Sequence, residues 1–141
     1  EVNIVTAGGN FGWNIREGSH CFNPDFSTHS PLECPIEGMN GEPLQMPIIE
    51  YRQPYGIAII GGFVYRGSEL PDGFQGTYIF GDWSTSFGQP GGKVLVAIPP
   101  PADAPPSMWH FRELAIEGSD NQELNAFLLS LGQDANGELL L

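Results

Sequence analysis

The sequence predicts an all-β fold, and three observations support this prediction. Short apolar runs recur along the chain with turn signals between them, a pattern that is typical of strands. Helical periodicity is almost absent. Glycine and proline, with 19 and 13 of 141 residues, make up more than a fifth of the chain, which favours many turns and few long helices. Because 40% of the residues are apolar, a chain of this length can bury a hydrophobic core.

The short apolar runs are predicted as strands in chain order. They cover residues 11–15, 48–51, 57–65, 76–81, 93–98, 109–114, 127–131 and 138–141. Turns are predicted where glycine, proline, asparagine and aspartate cluster, at 16–19, 70–73, 89–92 and 135–137. The proline run at 99–106 cannot join a central strand, because proline has no backbone N–H, and is predicted as an extended surface connection.

Residues 120–131 are the one window whose pattern also fits a helix. Asp120 would cap its start, with Glu123 three residues later. The second half also has the composition of a buried strand that runs into the turn at 135–137. We therefore expect a strand over 127–131, preceded by a loop or one helical turn.

Short strands at this spacing are typical of a sandwich, a barrel or propeller blades. A propeller blade takes about 40 to 50 residues and four strands, so the chain would hold about two blades of a partial propeller over 1–141, with a long insertion at about 16–47. Two blades cannot close a ring. Either missing N-terminal blades complete it, or copies of the chain associate through their open edges; three two-blade units would form a six-bladed ring.

The charge balance excludes one class of partner. The chain has 17 acidic residues against 5 lysines and arginines, a formal net charge of −12. This charge repels phosphate backbones, so nucleic acid is not expected as a partner. No apolar run is long enough for a membrane span, and no signal peptide is visible. Both ends fall within apparent structure, so we expect a processed or truncated piece of a longer protein.

Cys21 and Cys34, the only cysteines, flank a proline-containing segment with little periodicity. A disulfide would staple this loop and contribute roughly 3 kcal/mol in the chain-entropy model. Pairing would also indicate an oxidising compartment, periplasmic or extracellular. The alternative is a zinc site that adds His20 and His29, but the spacings match no common zinc motif. We therefore predict the disulfide and no metal site.

Several other residues have predicted structural roles. Gly8 to Gly12 lacks the Lys-Ser/Thr pair and the helix of a phosphate-binding loop and is predicted as a turn. Asp134 to Gly137 lacks the acidic positions of a calcium loop and is predicted as a β-turn. The pair Gly61-Gly62 is expected where another backbone approaches closely. His110 is expected to be a half-buried strand residue, and His20 and His29 are expected to be exposed.

Five segments follow one another in a recognisable order. They are Gly-Asn-Phe-Gly-Trp at 9–13 with the Glu-Gly turn at 17–18, Pro-Ile-Ile-Glu-Tyr at 47–51, Gly-Gly-Phe-Val-Tyr-Arg-Gly at 61–67, Gly-Thr-Tyr-Ile-Phe-Gly-Asp at 76–82, and Asn-Gly-Glu-Leu at 136–139. This order resembles the C-terminal blades of the glucose/sorbosone dehydrogenase β-propellers. It also resembles their hedgehog-interacting-protein-like relatives, in which paired cysteines follow the first segment. The resemblance implies the C-terminal two to three blades of a six-bladed β-propeller.

The resemblance also implies an activity for the whole protein. Members of this family oxidise aldose-type sugars with pyrroloquinoline quinone (PQQ) and calcium; arginines and lysines hold the quinone's carboxylates, and a histidine removes the proton from the C1 hydroxyl. That histidine lies in an earlier blade, so no catalytic residue is predicted here. The family's lysine would fall at 83–85, where this chain has Trp, Ser and Thr, and its late arginines would fall near 125–131, where there are none. PQQ and calcium are therefore expected in the whole protein and not in this segment alone.

Three residues are predicted to line the cofactor funnel: Arg52, which precedes a strand, and Asp82 and Trp83, which follow one. For Asp82 and Trp83 the alternative is a structural role, capping a turn and packing the blade. The second functional hypothesis is a non-catalytic binding module whose cysteine-bridged loop contacts a protein or a glycan. The missing lysine and arginines favour that hypothesis, whereas the bacterial character of Trp-Asn-Ile-Arg-Glu-Gly at 13–18 favours the enzyme.

Overall fold

A computed structural model of the chain describes residues 1–26, 28–104, 108–117 and 124–141. Within these ranges the regular structure consists of β-strands and one 3-10 turn, Asp72–Phe74, so the all-β prediction is confirmed. The chain divides into two compact units, Glu1–Glu50 and Tyr51–Leu141. Among the described residues, no helix has the length and hydropathy that a membrane crossing requires.

The unit Glu1–Glu50 contains a small antiparallel hairpin. Strand β1 (Arg16–Glu17) pairs with β2 (His20–Cys21), and Gly18 takes a positive φ of 62° in the connecting turn. The turn predicted at 16–19 is thus present, with short strands on either side of it. Isolated bridges join Val2 to Ile49, Asn10 to Leu44 and Glu37 to Pro43.

The strand predicted at 11–15 does not form. Gly12 has a φ of 91°, and its carbonyl accepts hydrogen bonds from the backbone N–H groups of Ile15 and Arg16. The backbone therefore turns here, as it does over Ala7-Gly8, at the start of the segment where a turn was predicted. The apolar residues of this run misled the prediction, because glycine at a positive φ ends an extended strand.

The predicted disulfide is present in this unit. Cys21 is bonded to Cys34, with their Cα atoms 5.6 Å apart. Because both thiols are consumed, the zinc site that would have used them cannot form. The two histidines of the alternative, His20 and His29, are exposed as expected.

The unit Tyr51–Leu141 is built on a four-stranded antiparallel sheet. Its strands follow one another in sheet order as a meander: β3 (Ile59–Val64), β4 (Tyr78–Asp82), β5 (Lys93–Ile98) and β6 (His110–Glu113). Each overlaps a run that was predicted as a strand, and β4 extends one residue beyond its predicted run, to Asp82. A four-stranded meander is the form that a propeller blade takes, and the fold agrees with a partial propeller-like all-β architecture. The number of blades stays a prediction.

A second hairpin follows the sheet in the chain. Strand β7 (Gly132–Gln133) pairs with β8 (Leu139–Leu140), around the turn predicted at 135–137. The strand predicted at 127–131 does not form: Leu128 donates its backbone N–H to Trp83 O at 3.1 Å, and its buried side chain packs into the core. The residues 120–123 of the helix alternative lie outside the described residues, as do 105 and 106 of the proline run.

The apolar core covers one face of the four-stranded sheet. Its buried centre consists of Tyr65, Ile79, Val94, Val96 and Leu128, each at most 5% exposed. Partly buried leucines from the C-terminal hairpin, Leu131 and Leu139, pack against this centre. Burial of one such aliphatic side chain contributes about 1.5–3 kcal/mol, so this core fixes the sheet whose opposite face carries the polar residues described below.

The glycine pair in β3 allows the close approach that was predicted. A Cβ on Gly62 would collide with the carbonyl group of Ile79 on β4, whereas one on Gly61 would meet nothing within 4 Å. The register between the two strands shifts here, between Ile60 and Phe63, which marks a bulge.

Candidate functional site

A group of polar side chains lies on the sheet face opposite the apolar core. It consists of Tyr51, Tyr55, Asp82, Lys93 and Glu113, which we call the Lys93 cluster. Alternation along the strands explains the placement of its charges, since side chains opposite one another in a ladder share a face. Asp82 pairs with Lys93 between β4 and β5. Leu95, two residues after Lys93, pairs with Glu113 between β5 and β6.

The carboxylate of Asp82 is fully buried, with 0% of the residue exposed. Its Oδ2 accepts a hydrogen bond from Tyr51 Oη at 2.7 Å. Its Oδ1 accepts from the backbone N–H groups of Ile57 at 2.9 Å, Ser84 at 3.1 Å and Ala58 at 3.4 Å. Together these donors replace the water that a buried charge loses. Asp82 therefore fastens the segment 51–58 to the end of β4.

Lys93 is the buried cation of the cluster, with 7% of the residue exposed. Its Nζ lies 2.8 Å from Glu113 Oε1 and 4.5 Å from the centre of the Tyr55 ring. A carboxylate and an aromatic face are the two partners that stabilise an ammonium group away from water. The ion pair ties the first residue of β5 to the last residue of β6.

Both tyrosines of the cluster remain protonated donors. Burial raises the pKa of Tyr51, and the hydrogen bond to Asp82 raises it further. Burial also raises the pKa of Tyr55, which hydrogen-bonds to Glu113. Each tyrosine of the segment 51–58 thus donates to one carboxylate of the sheet.

Aromatic contacts complete the attachment of this segment. Phe111 on β6 lies with its ring centre 5.7 Å from that of Tyr51 and 5.9 Å from that of Tyr55. Gly56 lies so close to Asp82 that a Cβ there would collide with the carboxylate. The segment therefore packs against the sheet, where two hydrogen-bonded carboxylates and aromatic contacts hold it.

The three residues predicted to line a cofactor funnel lie in different environments. Asp82 belongs to the Lys93 cluster, Arg52 is exposed, and the Trp83 ring stacks on Phe127 with ring centres 4.7 Å apart. A second aromatic ring, that of Phe87, lies 6.1 Å from Trp83. These contacts agree with the structural alternative for Asp82 and Trp83, in which they cap a turn and pack the blade. Their contact with a cofactor stays a prediction, as it does for Arg52.

Sequence reasoning missed four of the five members of the Lys93 cluster. One signal was available: Lys93 opens an otherwise apolar strand, Lys-Val-Leu-Val-Ala-Ile, in which every side chain before Ile98 is buried. A lysine in such a run requires a buried partner, but the partner Glu113 lies across a ladder that the sequence does not reveal. His110, predicted as half-buried, is exposed, because it begins β6 on the sheet's outer strand.

The Lys93 cluster by itself offers no available cation for the carboxylates of PQQ. Such carboxylates need available cations, whereas Lys93 is paired with Glu113. The ranges that the structure describes also contain no group of three or more histidine, cysteine, aspartate or glutamate residues placed to hold a metal ion. We therefore derive no catalytic step from these residues.

The known proteins that are similar to this chain include two from Arabidopsis thaliana. The HIPL2 protein is 35% identical over 88 residues, and the HIPL1 protein is 30% identical over 88 residues. Each match covers 58% of this chain but 12% of the relative, so the chain spans about an eighth of the curated relatives it matches. No protein-family model and no solved structure matches the chain. These names agree with the hedgehog-interacting-protein-like part of the predicted resemblance, and the chain is thus similar to HIPL proteins over more than half of its length.

Proposed function

We propose that this chain is a framework portion of a glucose/sorbosone dehydrogenase-like propeller protein. The whole protein would oxidise aldose-type sugars with PQQ and calcium. In this proposal the chain supplies blade structure, and the catalytic histidine and most cofactor contacts come from other parts of the polypeptide.

The observation that carries the proposal is the order of the resembling segments together with their positions in the fold. The segment 61–67 supplies the glycine bulge and second half of β3, and 76–82 includes β4. The segment 136–139 supplies the turn into β8. These segments belong to elements of a meander and a hairpin, as the blade resemblance requires.

The chemistry of the Lys93 cluster supports a framework role. The Asp82 carboxylate accepts four internal hydrogen bonds, and the Lys93 ammonium is paired with Glu113. A group that is already satisfied in this way gains little by contacting a ligand and loses internal bonds if it moves. The cluster therefore stabilises the packing of the segment 51–58 against the sheet.

The test is sugar-dependent dye reduction by the whole protein that contains this chain, with PQQ and calcium added. We expect turnover with at least one aldose and none without PQQ. The variant Asp82→Asn should have a lower melting temperature but an unchanged affinity for PQQ, measured on folded protein. Weaker PQQ binding at unchanged stability would show that Asp82 is a ligand and would contradict the framework role.

A non-catalytic binding module is the second candidate, and the surface of the cysteine loop favours it. Phe26, Leu32, Ile36 and Met39 are between 66% and 102% exposed in or next to this loop. Exposed apolar side chains mark an interaction surface where they form a contiguous patch. Under this hypothesis the loop contacts a protein or a glycan.

The two candidates differ in their response to changes in this loop. If the binding hypothesis holds, the double variant Leu32→Ser, Met39→Ser should lose binding to immobilised glycans or proteins on an array, whereas the control Ser30→Ala should keep it. Binding that is unaffected by the double variant, together with sugar turnover, would remove this candidate.

A further inference from the structure

Two Asn-Gly pairs lie in turns of this chain. Asn40-Gly41 belongs to the unit Glu1–Glu50, and Asn136-Gly137 joins β7 to β8. Both asparagines are exposed, and both glycines take a positive φ, 80° and 86° respectively. A glycine after asparagine leaves its own backbone nitrogen sterically open, because it has no Cβ to shield that nitrogen.

This arrangement permits a spontaneous reaction with water as the only co-reactant. The glycine nitrogen gives its proton to water and attacks the asparagine Cγ, forming a new C–N bond. The bond between Cγ and the side-chain nitrogen breaks, and that nitrogen takes up a proton and leaves as ammonia. The product is a five-membered succinimide. Water then opens one of its two ring C–N bonds, which gives aspartate or isoaspartate, and no electrons are transferred to another molecule.

The reacting groups of Asn136 are both restrained by Asp134. Asn136 Nδ2 donates to Asp134 Oδ2 at 3.3 Å, and the backbone N–H of Asn136 donates to Asp134 Oδ1 at 2.8 Å. The nitrogen of Gly137 donates to Asp134 O at 3.1 Å. For the ring to close, the side chain must leave its hydrogen bond and rotate toward that nitrogen.

The side chain of Asn40 has no such restraint. Its backbone N–H donates to Glu42 Oε2 at 3.0 Å, and the nitrogen of Gly41 donates to Gly38 O at 3.1 Å. In the part of the chain that the structure describes, however, the Asn40 amide group makes no hydrogen bond. Its Cγ can therefore rotate toward the attacking nitrogen without breaking a side-chain interaction.

We propose that Asn40 is a site of spontaneous deamidation and that it reacts in preference to Asn136. The product places a new carboxylate beside Glu42, whose side chain accepts from Asn10 Nδ2 at 2.7 Å. Isoaspartate also adds one carbon to the backbone of this turn. The hydrogen bond from Gly38 N to Glu42 O, 2.8 Å long, closes the turn. Deamidation therefore alters both the charge and the geometry of this turn.

The test follows both sites in one sample of the folded chain kept at physiological temperature and mildly alkaline pH. Peptide mapping by mass spectrometry measures the gain of one mass unit at each site, and enzymatic methylation detects isoaspartate. We expect Asn40 to react about fivefold faster than Asn136, which corresponds to one net hydrogen bond of about 1 kcal/mol. Equal rates, or a faster reaction at Asn136, would overturn the proposal.

Two variants and one condition identify the cause of the difference. Gly41→Ala should slow the reaction at Asn40 and leave Asn136 unchanged. Asp134→Ala should raise the rate at Asn136 to that of Asn40, with the Asn40 rate in the same sample as the internal reference. In denaturant the two rates should converge. If Asp134→Ala leaves the rate at Asn136 unchanged, restraint by Asp134 is not the cause and the argument fails.

Discussion

At the scale of single residues, Asp82 shows how a buried charge becomes a structural anchor. Its carboxylate is surrounded by one hydroxyl and three backbone donors, all supplied by the segment 51–58 and by Ser84. Removing the carboxylate would leave these buried donors without an acceptor, which costs more than the hydrogen bonds themselves contribute.

We predict that Asp82→Ala lowers the free energy of unfolding by about 3 kcal/mol. Urea denaturation of the unit Tyr51–Leu141 measures this free energy. The control is Asp103→Ala, which removes an exposed carboxylate and should change stability by no more than about 0.5 kcal/mol. Equal stability of the two variants would contradict the anchoring role.

The pair Lys93–Glu113 gives a prediction that depends on coupling. Lys93→Met leaves the Glu113 carboxylate largely buried without its cation, and Glu113→Gln removes the negative charge that lies beside the Lys93 ammonium. Each single change should cost about 3 kcal/mol, and the double change should cost less than their sum by about 1–3 kcal/mol. A double-mutant cycle in urea measures the coupling. Strictly additive costs would show that the two side chains do not stabilise each other.

The sequence identifies Asp82 as a residue of interest, but it does not identify the partners that determine its role. An acid at the end of a predicted strand could face a ligand or cap a turn. The choice depends on Tyr51, which lies 31 residues away in the sequence, and on the backbone donors of the segment 51–58. Such long-range contacts leave no local sequence pattern. For the same reason, the ion pair between Lys93 and Glu113 was not predicted.

At the scale of elements, β5 is the strand that the sequence predicts best. Its apolar run is continuous, and strand ladders bound it on both sides, so local pattern and tertiary pairing agree. The runs at 11–15 and 127–131 are also largely apolar but do not form strands. In the first, Gly12 turns the backbone; in the second, Leu128 fills the core while the backbone bonds irregularly. Apolar content alone does not distinguish an irregular segment that fills the core from a strand.

The neighbouring glycines of β3 give a matched pair of variants. Gly62→Ala places a Cβ against the Ile79 carbonyl and should destabilise the sheet by about 3 kcal/mol or prevent folding. Gly61→Ala meets no atom within 4 Å and should be neutral or slightly stabilising. Thermal unfolding followed by circular dichroism compares the two variants. A similar loss in both would show that the close approach at Gly62 is not responsible.

The hairpin β7–β8 gives a prediction on pH. Glu138 accepts hydrogen bonds from Ser68 N at 2.5 Å, Tyr65 Oη at 2.7 Å and Glu69 N at 2.9 Å. These bonds, chiefly that from the Ser68 backbone, lower the pKa of Glu138 below its ordinary value of 4.5. The unfolded chain therefore binds the proton more readily than the folded chain. The contribution of Glu138 to the free energy of unfolding is thus present above pH 4.5 and is lost as the pH falls through the lowered pKa.

The variant Glu138→Gln tests this pH dependence. Its stability should fall less than that of the wild type as the pH decreases below 4.5, because the titrating group is absent. The exposed control Glu33→Gln should keep the wild-type dependence. Urea denaturation across a pH series measures the difference, and parallel curves for Glu138→Gln and the wild type would contradict the prediction.

At the scale of the whole molecule, the two units are stabilised by different means. The unit Tyr51–Leu141 holds nearly all of the buried apolar side chains, whereas Glu1–Glu50 contributes only Leu44 and Ile49 to the described buried core. The first fifty residues rely instead on the Cys21–Cys34 disulfide, on short bridges and on the hydrogen bonds of Glu50 and Glu42. A disulfide is typical of secreted and other non-cytoplasmic proteins.

The all-β class and the disulfide were predictable because each depends on composition or local spacing. Blade number, the predicted insertion at about 16–47 and the cofactor contacts of Arg52, Asp82 and Trp83 stay predictions, because they depend on long-range arrangement that a local sequence pattern does not determine. The similarity to HIPL proteins covers 12% of their length and does not define an activity.

Our central proposal is that this chain forms the framework of a sugar-oxidising propeller protein. The most direct measurement is PQQ- and calcium-dependent dye reduction by the whole protein across a panel of aldoses. The account predicts turnover that requires PQQ and that persists in Asp82→Asn per folded molecule. No turnover with any aldose, from a folded protein supplied with PQQ and calcium, would contradict it.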